Sequence, residues 1–82
     1  MSNRVRCPRC DQDWLVRVEL VAMKRLAITC PECDALWLNE QDVKPPIAGV
    51  YGVTWFDLAT FIEQSGASYE EGAVNVIGPL LR

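Results

Sequence analysis

The 82-residue chain has no histidine, so the commonest general base is missing. No run approaches ~18 consecutive apolar residues, so nothing reads as a membrane-spanning helix. The opening MSNRVRCPRC has no apolar run behind its basic residues, so it does not read as a signal peptide. Glycine-rich phosphate loops are also missing; Gly49 and Gly52 match no phosphate-binding pattern. Glu70 and Glu71 are adjacent and therefore do not face each other, and Ser65 and Ser68 have no histidine to activate them. These absences argue against an enzyme. A chain without a leader or membrane segment is expected in the cytoplasm, where thiols stay reduced.

Basic residues are absent over a long stretch: from Pro45 to Leu81 there is no Lys or Arg. Residues 1–33 carry six basic and four acidic groups, whereas residues 34–82 carry two basic and seven acidic ones. The whole chain has a formal net charge of −3, and a zinc ion held by four thiolates adds about −2. Such a surface favours basic partners over nucleic acid.

What the chain does have is a block written twice. CPRCDQDWL begins at Cys7 and CPECDALWL at Cys30, sharing six of nine letters in register. The four cysteines follow C-x2-C-x19-C-x2-C, a spacing in the range of zinc sites. Zinc takes four soft ligands at the corners of a tetrahedron, and two short pairs on facing turns supply them. The proline in each pair stiffens its turn. The position after each second cysteine is expected in the left-handed conformation, which Asp11 and Asp34 tolerate better than most residues. Cys7, Cys10, Cys30 and Cys33 are therefore the expected ligands of one structural zinc, with iron as the lesser choice of metal. A redox role for the C-x-x-C pairs ranks lower, because two matched pairs fit a shared ion better. Trp14 and Trp37 hold equivalent places in the two blocks and are both expected in the core.

The surrounding pattern is small α+β. Around WLVRVELV, Trp14, Val16, Val18 and Leu20 alternate with a mixed face, a strand period. AMKR serves as the connection, LAIT as the return strand and ALWL as a third strand. Residues 41–53, with Pro45 and Pro46, read as a linker. TWFDLATFIEQSG is the helix signal: Thr54 as N-cap, Asp57 near the positive end, Trp55, Leu58, Ala59 and Ile62 along one stripe, and Gly66 as the stop. Ser68 and Glu71 have capping-box spacing for a second short turn ended by Gly72. AVNVIG reads as a last strand or extended tail. The expected organisation is a ribbon over 1–40, the linker, and a helix plus extended segment over 54–82, packed as one domain. Leu36 and Trp55 are expected to dock the helix.

The two cysteine blocks resemble zinc-ribbon knuckles, in which C-P-x-C is typical; rubredoxins hold iron on similar knuckles. Over residues 5–38 the resemblance implies a three-stranded antiparallel ribbon with all four cysteines on the metal. Both blocks carry Asp where such knuckles usually carry Gly. The C-terminal part, FDLATFIEQSGASYEEGAVNVIG, resembles small bacterial immunity proteins found beside polymorphic or contact-dependent growth-inhibition toxins. That resemblance implies a small acidic protein that binds and neutralises a basic toxin.

The residues expected to meet such a partner are Phe56, Asp57, Phe61, Glu63, Tyr69, Glu70 and Glu71, aromatic anchors among acids. The competing reading is a zinc-ribbon accessory of transcription, translation or nucleic-acid handling, using Arg4, Arg6, Arg9 and Arg17. Those arginines are expected instead to form a solvated face softened by Asp11, Asp13 and Glu19. The expected state is a monomer or weak dimer, without membrane contact.

Overall fold

The computed structural model describes residues 4–43 and 55–81. Apolar alternation produces strands β1 (Val16–Leu20) and β2 (Arg25–Thr29), paired antiparallel with Val18 opposite Ala27. A single 3-10 turn, Val21–Met23, joins them, and Lys24 closes it at φ 50°. Strand β3 (Ala35–Trp37) pairs with β2, placing Leu36 opposite Thr29 and Trp37 opposite Ile28.

The expected three-stranded ribbon is thus present but is only the centre of a wider sheet. Strand β4 (Phe56–Asp57) adds outside β3, and β5 (Val74–Pro79) adds outside β1. The order is β4-β3-β2-β1-β5, with every pairing antiparallel. The ribbon's two open edges each presented unpaired backbone groups, and the C-terminal part supplies a strand to both.

The α-helix among the described residues, α1 (Leu58–Gln64), starts later than expected. Its N-cap is Asp57, whose Oδ2 accepts from the Thr60 backbone N–H at 3.1 Å and from its hydroxyl at 2.9 Å. Thr54, the expected cap, lies outside the described residues, as does most of the expected linker. Trp55 and Phe56 belong to the extended segment before the helix, because backbone pairing with β3 claims Phe56 and Asp57 first. The helix stops where expected, at Gly66 with φ 93°. The expected second capped turn does not form: residues 67–70 carry no regular structure, and Gly72 turns the chain at φ 87°.

The alternation of the strands sends side chains into two cores on opposite faces of the sheet. Under the helix lie Val18, Leu20, Ala27, Leu36, Leu58 and Ile62. On the other face lie Leu15, Ile28, Ala35, Trp37, Val43 and Leu80 together with Cys7 and Cys30. The expected helix dock is therefore split. Leu36 meets Leu58 and Ile62, but Trp55 packs against the cysteine-side core. Trp37 is fully buried, and its Nε1 finds no hydrogen-bond acceptor among the described residues. An unpaired buried donor costs about 1–3 kcal/mol, which burial of so large a ring offsets.

Candidate metal centre

Each cysteine pair sits on a tight turn closed by the same bonds. The Asp11 N–H donates to the Cys7 carbonyl, and the Asp34 N–H to the Cys30 carbonyl, both at 3.0 Å. Asp11 and Asp34 have φ of 55° and 59°, the left-handed conformation expected of them. The turns bring all four sulfurs within 4.8 Å of one another. The short approaches run across the knuckles, Cys7 Sγ to Cys33 Sγ at 3.7 Å and Cys10 Sγ to Cys30 Sγ at 3.6 Å. Neither is a disulfide. Four sulfurs at ~2.3 Å from a central zinc stand about 3.8 Å apart. The donor set and its spacing therefore fit a tetrahedral, zinc-ribbon-like site.

The electrostatics of the bare thiols oppose one another. Burial pushes the Cys30 and Cys33 thiols up, despite backbone N–H groups of Glu32, Cys33 and Ala35 that favour the thiolate. At Cys10 burial acts in the same direction, but the Gln12 N–H and the neighbouring sulfurs outweigh it and its thiol sits below the ordinary range. Raised thiols favour the metal-free fold below the ordinary thiol range, and that contribution is lost as pH rises through their folded values. A divalent cation reverses the preference by binding thiolates and releasing their protons.

The two knuckles differ in length by one residue. The Cys7 N–H donates to the carbonyl of Asp13, six residues on, whereas the Cys30 N–H donates to Ala35, five residues on. The bridges agree: Arg6 pairs with Trp14, but Thr29 pairs with Leu36. Trp14 is thus the structural counterpart of Leu36, and Leu15 that of Trp37. One extra residue reverses the side-chain direction in a strand. Trp14 accordingly lies on the surface, 39% exposed, under the Arg6 guanidinium at 5.0 Å. This corrects the expectation that both tryptophans are core. The aligned letters concealed the offset, and the strand alternation, which puts Trp14 in phase with buried Val18 and Leu20, concealed it as well.

Arg9 ties the first knuckle to the second and to the segment before the helix. Its Nη1 donates to the Cys33 carbonyl at 3.0 Å, and its guanidinium lies 5.4 Å from the Trp55 ring centre. The Leu58 N–H, at the helix start, donates to the Asp34 carbonyl at 2.9 Å. Sequence reading did not single out this clasp, because nothing local links Arg9 to Trp55. The remaining arginines are exposed: Arg6 pairs with Asp11 at 3.7 Å and Arg17 with Glu40 at 3.2 Å, while Arg4 bridges to Leu81.

The seven residues expected to meet a partner fall into two groups. Phe56 and Phe61 form a tilted ring pair, 5.3 Å between centres, beside Asp57, with Glu63 exposed farther along the helix. Asp57 is committed to capping, which holds its carboxyl below the usual range, chiefly through the Thr60 N–H and hydroxyl. Tyr69, Glu70 and Glu71 lie exposed on the loop between α1 and β5. No helix among the described residues is long and apolar enough to cross a membrane. In comparisons with protein families, curated proteins and solved structures, nothing matches this chain.

Proposed function

We propose that the chain is a non-catalytic, zinc-binding protein-interaction module. The observation that carries this is the cluster of four thiols within 4.8 Å on two matched turns. A zinc ion there supplies a fixed crosslink between the two knuckles. Cys7, Cys10, Cys30 and Cys33 hold it, and Arg9 and the Asp34 carbonyl connect the site to β4 and α1. Four protein thiolates fill the tetrahedron, so no position stays open for an activated water. A reduced thiol cluster suits the cytoplasm. Metal analysis tests the site: the purified protein should carry one zinc, be colourless, and give a thiolate-to-cobalt charge-transfer band on substitution. A stoichiometric coloured iron complex would replace zinc by the rubredoxin-like alternative, and no bound metal would end the reading.

The partner in this reading is a basic protein, and the role that of an immunity protein neutralising a basic toxin. Support comes from the exposed Phe56, its tilted ring contact with Phe61, the exposed Glu63, and the lack of any Lys or Arg between Pro45 and Leu81. The nucleic-acid alternative draws less support, since Arg6, Arg9 and Arg17 are each engaged within the chain. Co-purification from the native host identifies the partner. Phe56→Ala with Glu63→Lys should then slow its association, and unchanged kinetics would reject this surface. A salt-sensitive complex with short DNA or RNA would instead favour the alternative.

A further inference from the structure

The two edges of the sheet are finished differently. On one side β4 is only two residues long and passes straight into α1. On the other side β5 runs six residues, Val74–Pro79, and among the described residues its outer edge carries no further strand. Val76 is 63% exposed and Ile77 57% exposed, on opposite faces of the strand. No residue from Gly72 to Leu81 is charged. Proteins ordinarily guard a long edge with charge, because its backbone groups accept any extended segment. Here the guard is limited to a bulge at Ile77, between the pairs Val18–Val76 and Arg17–Gly78, and to Pro79.

Charge lies instead at the two ends of this strand, with opposite signs. Glu70 and Glu71 are exposed just before its start. Arg4, also exposed, bridges to Leu81 just past its end. None of the three has an ion-pair partner among the described residues. Antiparallel pairing of two identical strands sets the start of one beside the end of the other. A two-fold axis within Val74–Val76 therefore carries Glu70 and Glu71 of each copy, on the turn before the strand, toward the other copy's Arg4 beyond its end. The strand is thus complementary to itself in backbone, in apolar contact and in charge.

We propose that the outer edge of β5 pairs antiparallel with β5 of a second copy of this chain, forming an isologous dimer registered by two Glu71–Arg4 contacts. The bulge and Pro79 restrict the regular ladder to Val74–Val76, so the dimer is weak and exchanges rapidly. The uncharged strand brings no like charges into direct contact, whereas Glu63 and the Phe56–Phe61 pair are not used.

Sedimentation velocity on the zinc-loaded full chain, over a concentration series at low and high salt, tests this. The expected result is a monomer–dimer equilibrium that weakens with salt. Val76→Lys should weaken dimerisation at least about tenfold, with circular dichroism confirming the fold. Glu71→Arg should weaken it several-fold, and adding Arg4→Glu should restore it, an arm that stands even if the Val76 variant does not fold. A monomer at every concentration, an open-ended assembly, a dimer indifferent to these changes, or failure of the charge swap to restore association would each overturn the proposal.

Discussion

The two knuckles are near-copies in sequence and do different work in the fold. Both close with the same turn and the same left-handed aspartate, and each contributes two sulfurs. The second is flanked by β4, with Phe56 opposite Leu36 and the helix over it. The first carries Trp14 on the surface at the matching place. A single additional residue between Cys10 and Trp14 accounts for the difference. It keeps Leu15 in the cysteine-side core where Trp37 stands in the other knuckle, and turns Trp14 outward. Sequence likeness here measures the demands of the shared four-sulfur cluster, which are the same on both sides, and not those of the cores.

The largest test removes what the knuckles share. Stripping the metal with a chelator, or replacing Cys10 or Cys30 by Ser, should cost on the order of 10 kcal/mol in the metal-bound state. Far-ultraviolet circular dichroism should show loss of the sheet, equally for either knuckle. A fold unchanged without metal would mean that the cores suffice alone.

Next in size is the comparison of the tryptophans. Trp37→Ala should destabilise by about 3–5 kcal/mol. Trp14→Ala should cost about 1 kcal/mol or less, because it loses one exposed ring and its contact with Arg6. Urea unfolding of the zinc-loaded variants measures both, and equal costs would refute the one-residue offset.

A smaller effect is expected from deleting Gln12, which brings the first knuckle to the length of the second. The strand is pinned from Leu15 onward by its buried side chains. The turn should therefore tighten while the register stays, at a cost of about 1 kcal/mol. Zinc should remain bound, and Trp14 should keep its solvent-exposed emission. A buried Trp14 would show that the turn, and not the core, sets the register.

Smallest is the relief of left-handed strain. Asp11→Gly and Asp34→Gly should each stabilise by roughly 0.5 kcal/mol. The gain should be the lesser at Asp11, whose carboxylate meets Arg6. Thermal unfolding midpoints report the difference.

The cysteine site was legible in the sequence because its geometry is local: spacing, prolines and aspartates define each turn without reference to the rest. The alternation in β1 and β2 and the stop at Gly66 were legible for the same reason. The joining of β4 and β5 to the ribbon's edges was not, since those pairings link residues far apart and their short strands carry no strong period. Asp57 read as a favourable charge near the helix start; its place as the cap depended on β3 drawing Phe56 and Asp57 into the sheet.

By itself, then, the sequence determined that two matched turns would offer four thiols to one ion, because a tetrahedral ligand set constrains only the residues that make it. Tertiary structure decided which tryptophan is buried, where the helix begins and which strands close the ribbon's edges. Those outcomes follow from burial on two faces at once, and burial depends on the parts of the chain that meet only after folding.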